Sequence, residues 1–317
     1  MPELGFAFSS EDHPPQELVR QARAAEEAGF TFGLISDHFH PWISKQGHSP
    51  FVWPVVGGIA QVTERFRLGT GVTCPLIRIH PAIVAQAAAT CAAMMPGRFF
   101  LGVGSGENLN EHILGDRWPL PDERLEMLEE AIGVIRLLWQ GGEQTHRGKH
   151  YTVDHARIYT LPDEPPPIYV AAAKPNAAQL AGRLGDGLVS TSPDEKVVQE
   201  FEGAGGSGKD KLGMIHVAYD RDAGAALKRA HELWPNSGMQ GSLSQELATP
   251  SDFESAAPMV SEEDVAEGVP HGPDPEPYLE LIRKFGDAGF THVYVHQIGE
   301  NQDEFLDFAQ RELFPEL

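Results

Sequence analysis

Between Leu4 and Trp139 the chain passes four times from a short apolar run to a longer stretch whose apolar residues recur at helical spacing. Strands buried on both faces and joined by helical crossovers form a parallel sheet, so this alternation restricts the fold more than any other feature. Leu4–Ser9, Phe32–Ser36, Phe66–Val72 and Phe99–Val103 read as the strands. The helices read as Pro15–Ala28, Val55–Val62, Pro81–Met94 and Arg124–Trp139. In the first helix Leu18, Ala22 and Ala25 share one face, and Gly29 is placed to cap its end.

The stretch Thr145–Tyr159 breaks this rhythm: turn residues at its centre with alternating flanks predict an inserted β-hairpin. Pro167–Ala172 then reads as a fifth barrel strand, followed by a helix over Asn176–Leu184. Gly187–Ser190, Leu212–Tyr219 and Thr291–His296 read as three more. Eight parallel strands close a (β/α)₈ barrel, the α/β TIM-barrel class, here expected as one domain over residues 1–317. Trp234–Pro275, rich in Pro, Ser, Glu and Gly, is too long for a plain connection and is expected to form short helices over a barrel mouth.

A formal net charge of −22 argues against nucleic acid and anionic membranes as partners, because both are bound through Lys and Arg. The acidity fits a solvated surface and equally a salt-rich cytoplasm. No run approaches the roughly 20 apolar residues of a membrane helix, and Met1–Phe6 does not open like an export signal. Two cysteines, Cys74 and Cys91, supply neither a disulfide framework nor the spacing of a structural zinc site. A cytoplasmic setting is expected.

Active sites of such barrels lie at the carboxyl ends of the strands, so polar residues directly after a strand are the candidates. Ser9-Ser10-Glu11-Asp12-His13 follows the first strand, Asp37-His38-Phe39-His40-Pro41-Trp42 the second, and Gly104 to Glu111 the fourth. An acid, an imidazole and an indole converging from different strands make a proton-transfer site plausible chemistry. Each residue also has a plainer reading. Asp37 suits a turn cap, Trp42 a packing residue and His40 a surface histidine, while Gly102, Gly104 and Gly106 fail the G-x-G-x-x-G dinucleotide pattern. Joint placement favours the site.

Ser36–Trp42, Gly69–Pro75, Gly102–Glu111 and Ala181–Gly187, taken in order, give the sequence a strong resemblance to the luciferase-like oxidoreductases that use the deazaflavin F420. Within them it is similar to the branch typified by F420-dependent glucose-6-phosphate dehydrogenase. The resemblance implies F420 as cofactor, a homodimer, and hydride transfer between the deazaflavin and an alcohol or carbonyl carbon. It implies His38 as the general base, Glu107 as the group that protonates the reduced ring or holds its charge, and Trp42 and Glu11 as pocket walls. It further implies that Asp37 touches the ring, that Gly71–Val72 is a non-proline cis peptide beneath it, and that Asn110, Ala171, Ala172, Ala173, Lys174 and Thr191 hold ring edge and phosphate.

Two departures from the family pattern stand out. Ala173 and Lys174 replace a frequent glycine pair, so a lysine charge takes over part of the backbone's approach to phosphate. The sugar-phosphate enzymes gather basic residues where this chain has Ser192-Pro193-Asp194-Glu195 and Ser244-Gln245-Glu246-Leu247. Unpaired phosphate burial is disfavoured, so a neutral alcohol, carbonyl or sugar-like substrate is expected in place of glucose 6-phosphate. The rivals are an FMN-dependent monooxygenase or flavin reductase on the same fold, a metal-dependent barrel hydrolase built on His38-x-His40, and a non-catalytic flavin carrier. The hydrolase lacks further histidine ligands, and no metal site is expected.

Overall fold

A computed structural model describes residues 1–239 and 241–317. Ten strands run in chain order: β1 Glu3–Phe8, β2 Phe32–Ile35, β3 Arg67–Thr70, β4 Phe99–Val103, β5 Gln144–Arg147, β6 Thr152–Ala156, β7 Ile168–Ala171, β8 Gly187–Ser190, β9 Asp210–Val217 and β10 His292–Gln297. Eight of them close a parallel barrel in the order β1-β10-β9-β8-β7-β4-β3-β2. Phe6 pairs with Val295 on one side of β1 and with Gly33 on the other. The remaining two, β5 and β6, form the antiparallel hairpin expected within 145–159. Its turn is held against the helix Pro121–Trp139 by Glu130, whose carboxylate accepts from the amides of Lys149, His150 and Tyr151.

All eight barrel strands lie where the apolar runs placed them, and the helices Pro15–Ala28 and Pro81–Met94 keep the expected bounds. Gly29 closes the first at φ 106°, the left-handed region where glycine is free of a Cβ clash. The second helix starts at Val52, ahead of the expected Val55, because Pro54 falls in its first turn, where a missing N–H costs no hydrogen bond. Among the described residues five α-helices were not anticipated: Glu195–Phe201, Ala223–Leu233, Glu276–Asp287, Gln302–Phe308 and the single turn Asn108–Glu111. The first two carry a legible start signal, since Asp194 and Asp222 accept from backbone amides of their first turns. Over Trp234–Pro275 short helices form at Pro235–Gly238, Leu243–Glu246, Pro250–Ala256 and Glu262–Gly268; Gln240, within that segment, lies outside the described residues.

The core has two shells, because a strand sends alternate side chains to opposite faces. Leu4, Phe6 and Phe8 of β1 point outward to the helices, whereas Ala7 joins Leu34, Phe100, Tyr169, Val189, Leu212 and Tyr294 inside the barrel. Gly5 also points inward; a Cβ there would collide with the Phe32 ring, so the strand needs glycine for that ring to enter. Outside, the Phe6 ring packs edge-on against Phe8 at 5.2 Å and Phe30 at 5.5 Å. Among the described residues no helix is long and apolar enough to cross a membrane.

Phe6 is fully buried at the β1–helix layer. Phe6→Ala should therefore destabilise the protein by about 3–5 kcal/mol. Urea unfolding should show a lower midpoint at unchanged slope; a loss below about 1 kcal/mol would contradict this packing.

Candidate active site

The eight barrel strands run parallel, so every loop that follows one opens on the same barrel mouth. There a cavity of about 800 Å³ is lined by Glu11 after β1, His38 and Trp42 after β2, and Gly71 and Val72 after β3. Glu107 after β4, Ala171 to Lys174 at the end of β7 and Thr191 after β8 complete the set that the sequence placed on the wall. Its floor is apolar, made by Ala7, Leu34, Val72, Val189, Met214 and Tyr294. The Gly71–Val72 peptide is cis. A Cβ on Gly71 would stand 2.8 Å from Leu34 Cβ, and one on Gly104 would stand 2.7 Å from Val72 Cγ2, so both glycines keep this wall thin.

At the centre lies a buried ion pair. His38 Nδ1 sits 3.0 Å from Glu11 Oε1, at an angle outside hydrogen-bond geometry, so the contact is chiefly electrostatic. The other carboxylate oxygen accepts from Ser9 Oγ at 2.9 Å and Ser36 Oγ at 2.7 Å. Burial pushes the Glu11 carboxyl up, but the His38 charge and the Ser36 hydroxyl outweigh it and hold the group well below the usual carboxylate range. Burial likewise pushes His38 down, and the Glu11 carboxylate, helped by Glu107, reverses this and holds its imidazole charged above neutrality. Trp42 meets the His38 ring edge-on at 5.1 Å and the Phe253 ring at 5.2 Å, linking the site to the helix Pro250–Ala256 of the mouth segment.

Two residues expected at the coenzyme stand elsewhere. Asp37 does not line the cavity: one carboxylate oxygen meets Arg78 Nη2 at 2.9 Å and the other accepts from Thr73 Oγ1 at 2.8 Å. Arg78 also bonds Glu111, so Asp37 belongs to a buried charge network behind the wall, where a cation compensates its burial. Asn110 is also behind the wall, its Oδ1 accepting from the amides of Phe39 and His40, which fixes the loop that presents His38. His40 turns away from the cavity, with Nδ1 2.9 Å from the Leu109 carbonyl and its ring stacked on His112. Thus His38-x-His40 does not aim two imidazoles at one point, and no metal-holding cluster of three occurs among the described residues.

Sequence reasoning missed a second polar group on the same wall. His216 of β9 and His296 of β10 are direct register partners, with their Nδ1 atoms 2.7 Å apart. Trp234 packs against both rings and donates from Nε1 to Asp12 at 2.8 Å. Burial first, then the neighbouring His296, push His216 far below histidine's ordinary 6.5, so it is neutral. The signal was present for His296, which ends the predicted strand Thr291–His296, whereas His216 falls inside the predicted strand Leu212–Tyr219. A third missed residue is Arg124, whose guanidinium is buried in the cavity wall.

A scan against family models matches residues 4–292 to the family described as luciferase-like monooxygenase. The chain belongs to this luciferase-like family. It is 38% identical to an F420-dependent glucose-6-phosphate dehydrogenase of Nocardia farcinica, an alignment covering 99% of this chain and 98% of that relative. Among solved structures it is similar to an F420-dependent secondary alcohol dehydrogenase in complex with an F420–acetone adduct, at TM-score 0.92 and 30% identity over 99% of both chains. The F420-dependent tetrahydromethanopterin reductase of Methanopyrus kandleri shares the fold at TM-score 0.80 and 22% identity, over 99% of both chains.

Folding raises the His38 value, so the pair's stabilisation is complete below 6.5 and is lost as pH rises through the raised value. On the acid side Glu11 is depressed, so stabilisation is complete above 4.5 and is lost as pH falls through the lowered value. Glu11→Gln removes the main cause of the upward shift and leaves burial. The His38 imidazole, followed by NMR, should then titrate at or below 6.5; an unchanged alkaline titration would show that Glu11 does not set it.

Proposed function

We propose that this chain is an F420-dependent oxidoreductase, moving a hydride between the deazaflavin and a small neutral alcohol, carbonyl or sugar-like molecule. The observation that carries this reading is the buried Glu11–His38 pair, set beside Trp42 and Glu107 in an apolar-floored cavity. The residues fit the cofactor. The thin wall at Gly71 and Gly104 and the apolar floor suit a planar ring. Lys174 and the start of the helix Pro175–Leu184, whose first-turn amides have no side-chain cap, suit its phosphate.

F420, when bound, supplies a hydride acceptor or donor that reacts poorly with oxygen. The chain's own part is the proton. As an imidazolium, His38 donates to the oxygen of a carbonyl being reduced; in the oxidation direction it must first lose its proton and then acts as base at the alcohol hydroxyl. Glu11 holds the charged form, Trp42 fixes the His38 ring and excludes water, and Glu107, on the cavity wall, would hold charge developing on a bound deazaflavin. Neutral His216, backed by His296, offers a hydrogen bond to an uncharged hydroxyl or carbonyl.

A neutral substrate is supported by the surfaces after β8 and over the mouth. Lys196 is exposed and outside the cavity, Asp194 caps its own helix, and Ser244 and Gln245 line the wall as uncharged groups. We further propose a homodimer packed through barrel helices, and a reducing cytoplasm in keeping with two free, buried cysteines.

Fluorescence titration tests the cofactor: F420 should bind and FMN should not, while preference for FMN would move the chain to the flavin-dependent branch. His38→Ala should abolish turnover while leaving F420 affinity within a few fold, and a fully active variant would end the proton-transfer assignment. The pH profile has a defined sign. Alcohol oxidation should rise on the alkaline side of 6.5 and carbonyl reduction should fall across the same range; a midpoint at or below 6.5 in both directions would exclude the charged His38.

A further inference from the structure

Among the described residues with an enclosed side-chain polar atom lacking a hydrogen-bond partner, Arg124 alone has two such atoms. Its side chain is 2% exposed, yet it makes no hydrogen bond among the described residues, and its Nε and Nη1 are fully enclosed without a partner. Among the described residues two contacts oppose the cost of burying it. Its guanidinium carbon lies 4.3 Å from the Trp118 ring centroid, and Nη1 is 3.5 Å from Oε1 of Glu246, a half-exposed residue on a four-residue helix. A guanidinium carries five N–H donors in a planar fork, and burying such a group without hydrogen bonds costs more than one longer ion pair returns. Buried polar groups are otherwise almost always bonded. Arg124 is also a wall residue of the cavity, as are Pro121, Asp122, Leu125, Ser244 and Gln245.

We infer that Arg124 is an anion-holding residue of this cavity, taking a phosphate or carboxylate of the bound molecule through Nη2, the guanidinium nitrogen that is not enclosed. The first turns of the helix Pro121–Trp139 present it at the wall. Glu246 shares the cation, so the incoming anion competes with a partner that solvent already screens. This inference rests on the proposed cofactor reading for one of its two sources. The anion belongs either to the phosphate and glutamyl tail of F420 or to a phosphorylated substrate.

The test compares neutral and anionic members of two pairs by equilibrium binding, without turnover. F420 is set against its riboside, which lacks phosphate and glutamates, and glucose 6-phosphate against glucose, each titrated into wild type and Arg124→Gln. At least a tenfold loss for F420 with the riboside unchanged assigns the residue to the coenzyme tail. The same split within the glucose pair assigns it to substrate, and overturns the neutral-substrate reading while sustaining the anion site. Equal losses within each pair, or no losses, overturn the inference. Should wild type bind neither deazaflavin, the coenzyme reading fails and the glucose pair alone decides; binding of none of the four overturns both. Thermal unfolding of the free protein separates structure from binding. Arg124→Met should leave Tm unchanged or raise it, because it removes an unbonded buried cation, whereas a purely structural arginine would lower it.

Discussion

Closure of the barrel between β1 and β10 is the constraint on which the rest of the molecule depends. An open parallel sheet leaves two edges of unpaired amides and carbonyls, and pairing of Glu3–Phe6 with His292–Val295 removes them. Because all eight strands then run the same way around one axis, their carboxyl ends share a single mouth. Residues as distant in sequence as Glu11, Glu107 and His296 become walls of one cavity.

What the mouth contains is set by how charge is buried there. Three clusters enter the low-dielectric interior, and each is compensated differently. Asp37 and Glu111 are neutralised by Arg78 and by backbone amides, so they are spent on architecture. Glu11 is paired with His38 alone among side-chain cations, with two serine hydroxyls on its other oxygen, which stores a proton on the imidazole facing the cavity. Arg124 is compensated least, by a ring face and a distant carboxylate. The degree of compensation thus grades the three in the order of the roles proposed for them, from scaffold to proton transfer to ligand contact.

The apolar floor and the neutral His216 complete this division. Hydride chemistry needs a dry, shaped surface, and the inward positions of β1, β2, β8, β9 and β10 supply one with Ala7, Leu34, Val189, Met214 and Tyr294. Proton chemistry needs one group near its titration point, supplied at the edge of that surface. The mouth segment joins the two through Trp234 and Phe253, which touch the His216–His296 side and the Trp42 side respectively.

Sequence alone determined the barrel strands and the Glu11, His38, Trp42 and Glu107 constellation, because alternation of apolar runs is a local property and polar residues after a strand must reach the mouth. The hairpin followed from its turn residues in the same way. Tertiary structure alone decided which polar residues face the cavity. Asp37 and His38 are neighbours in the chain, yet one turns to Arg78 and the other to Glu11, a choice made by partners that arrive from elsewhere in the fold. Arg124 reads in sequence as an ordinary position on an amphipathic helix. Only packing of Trp118 and the helix Leu243–Glu246 around it turns a surface charge into a buried one, because burial depends on the whole fold and not on local pattern.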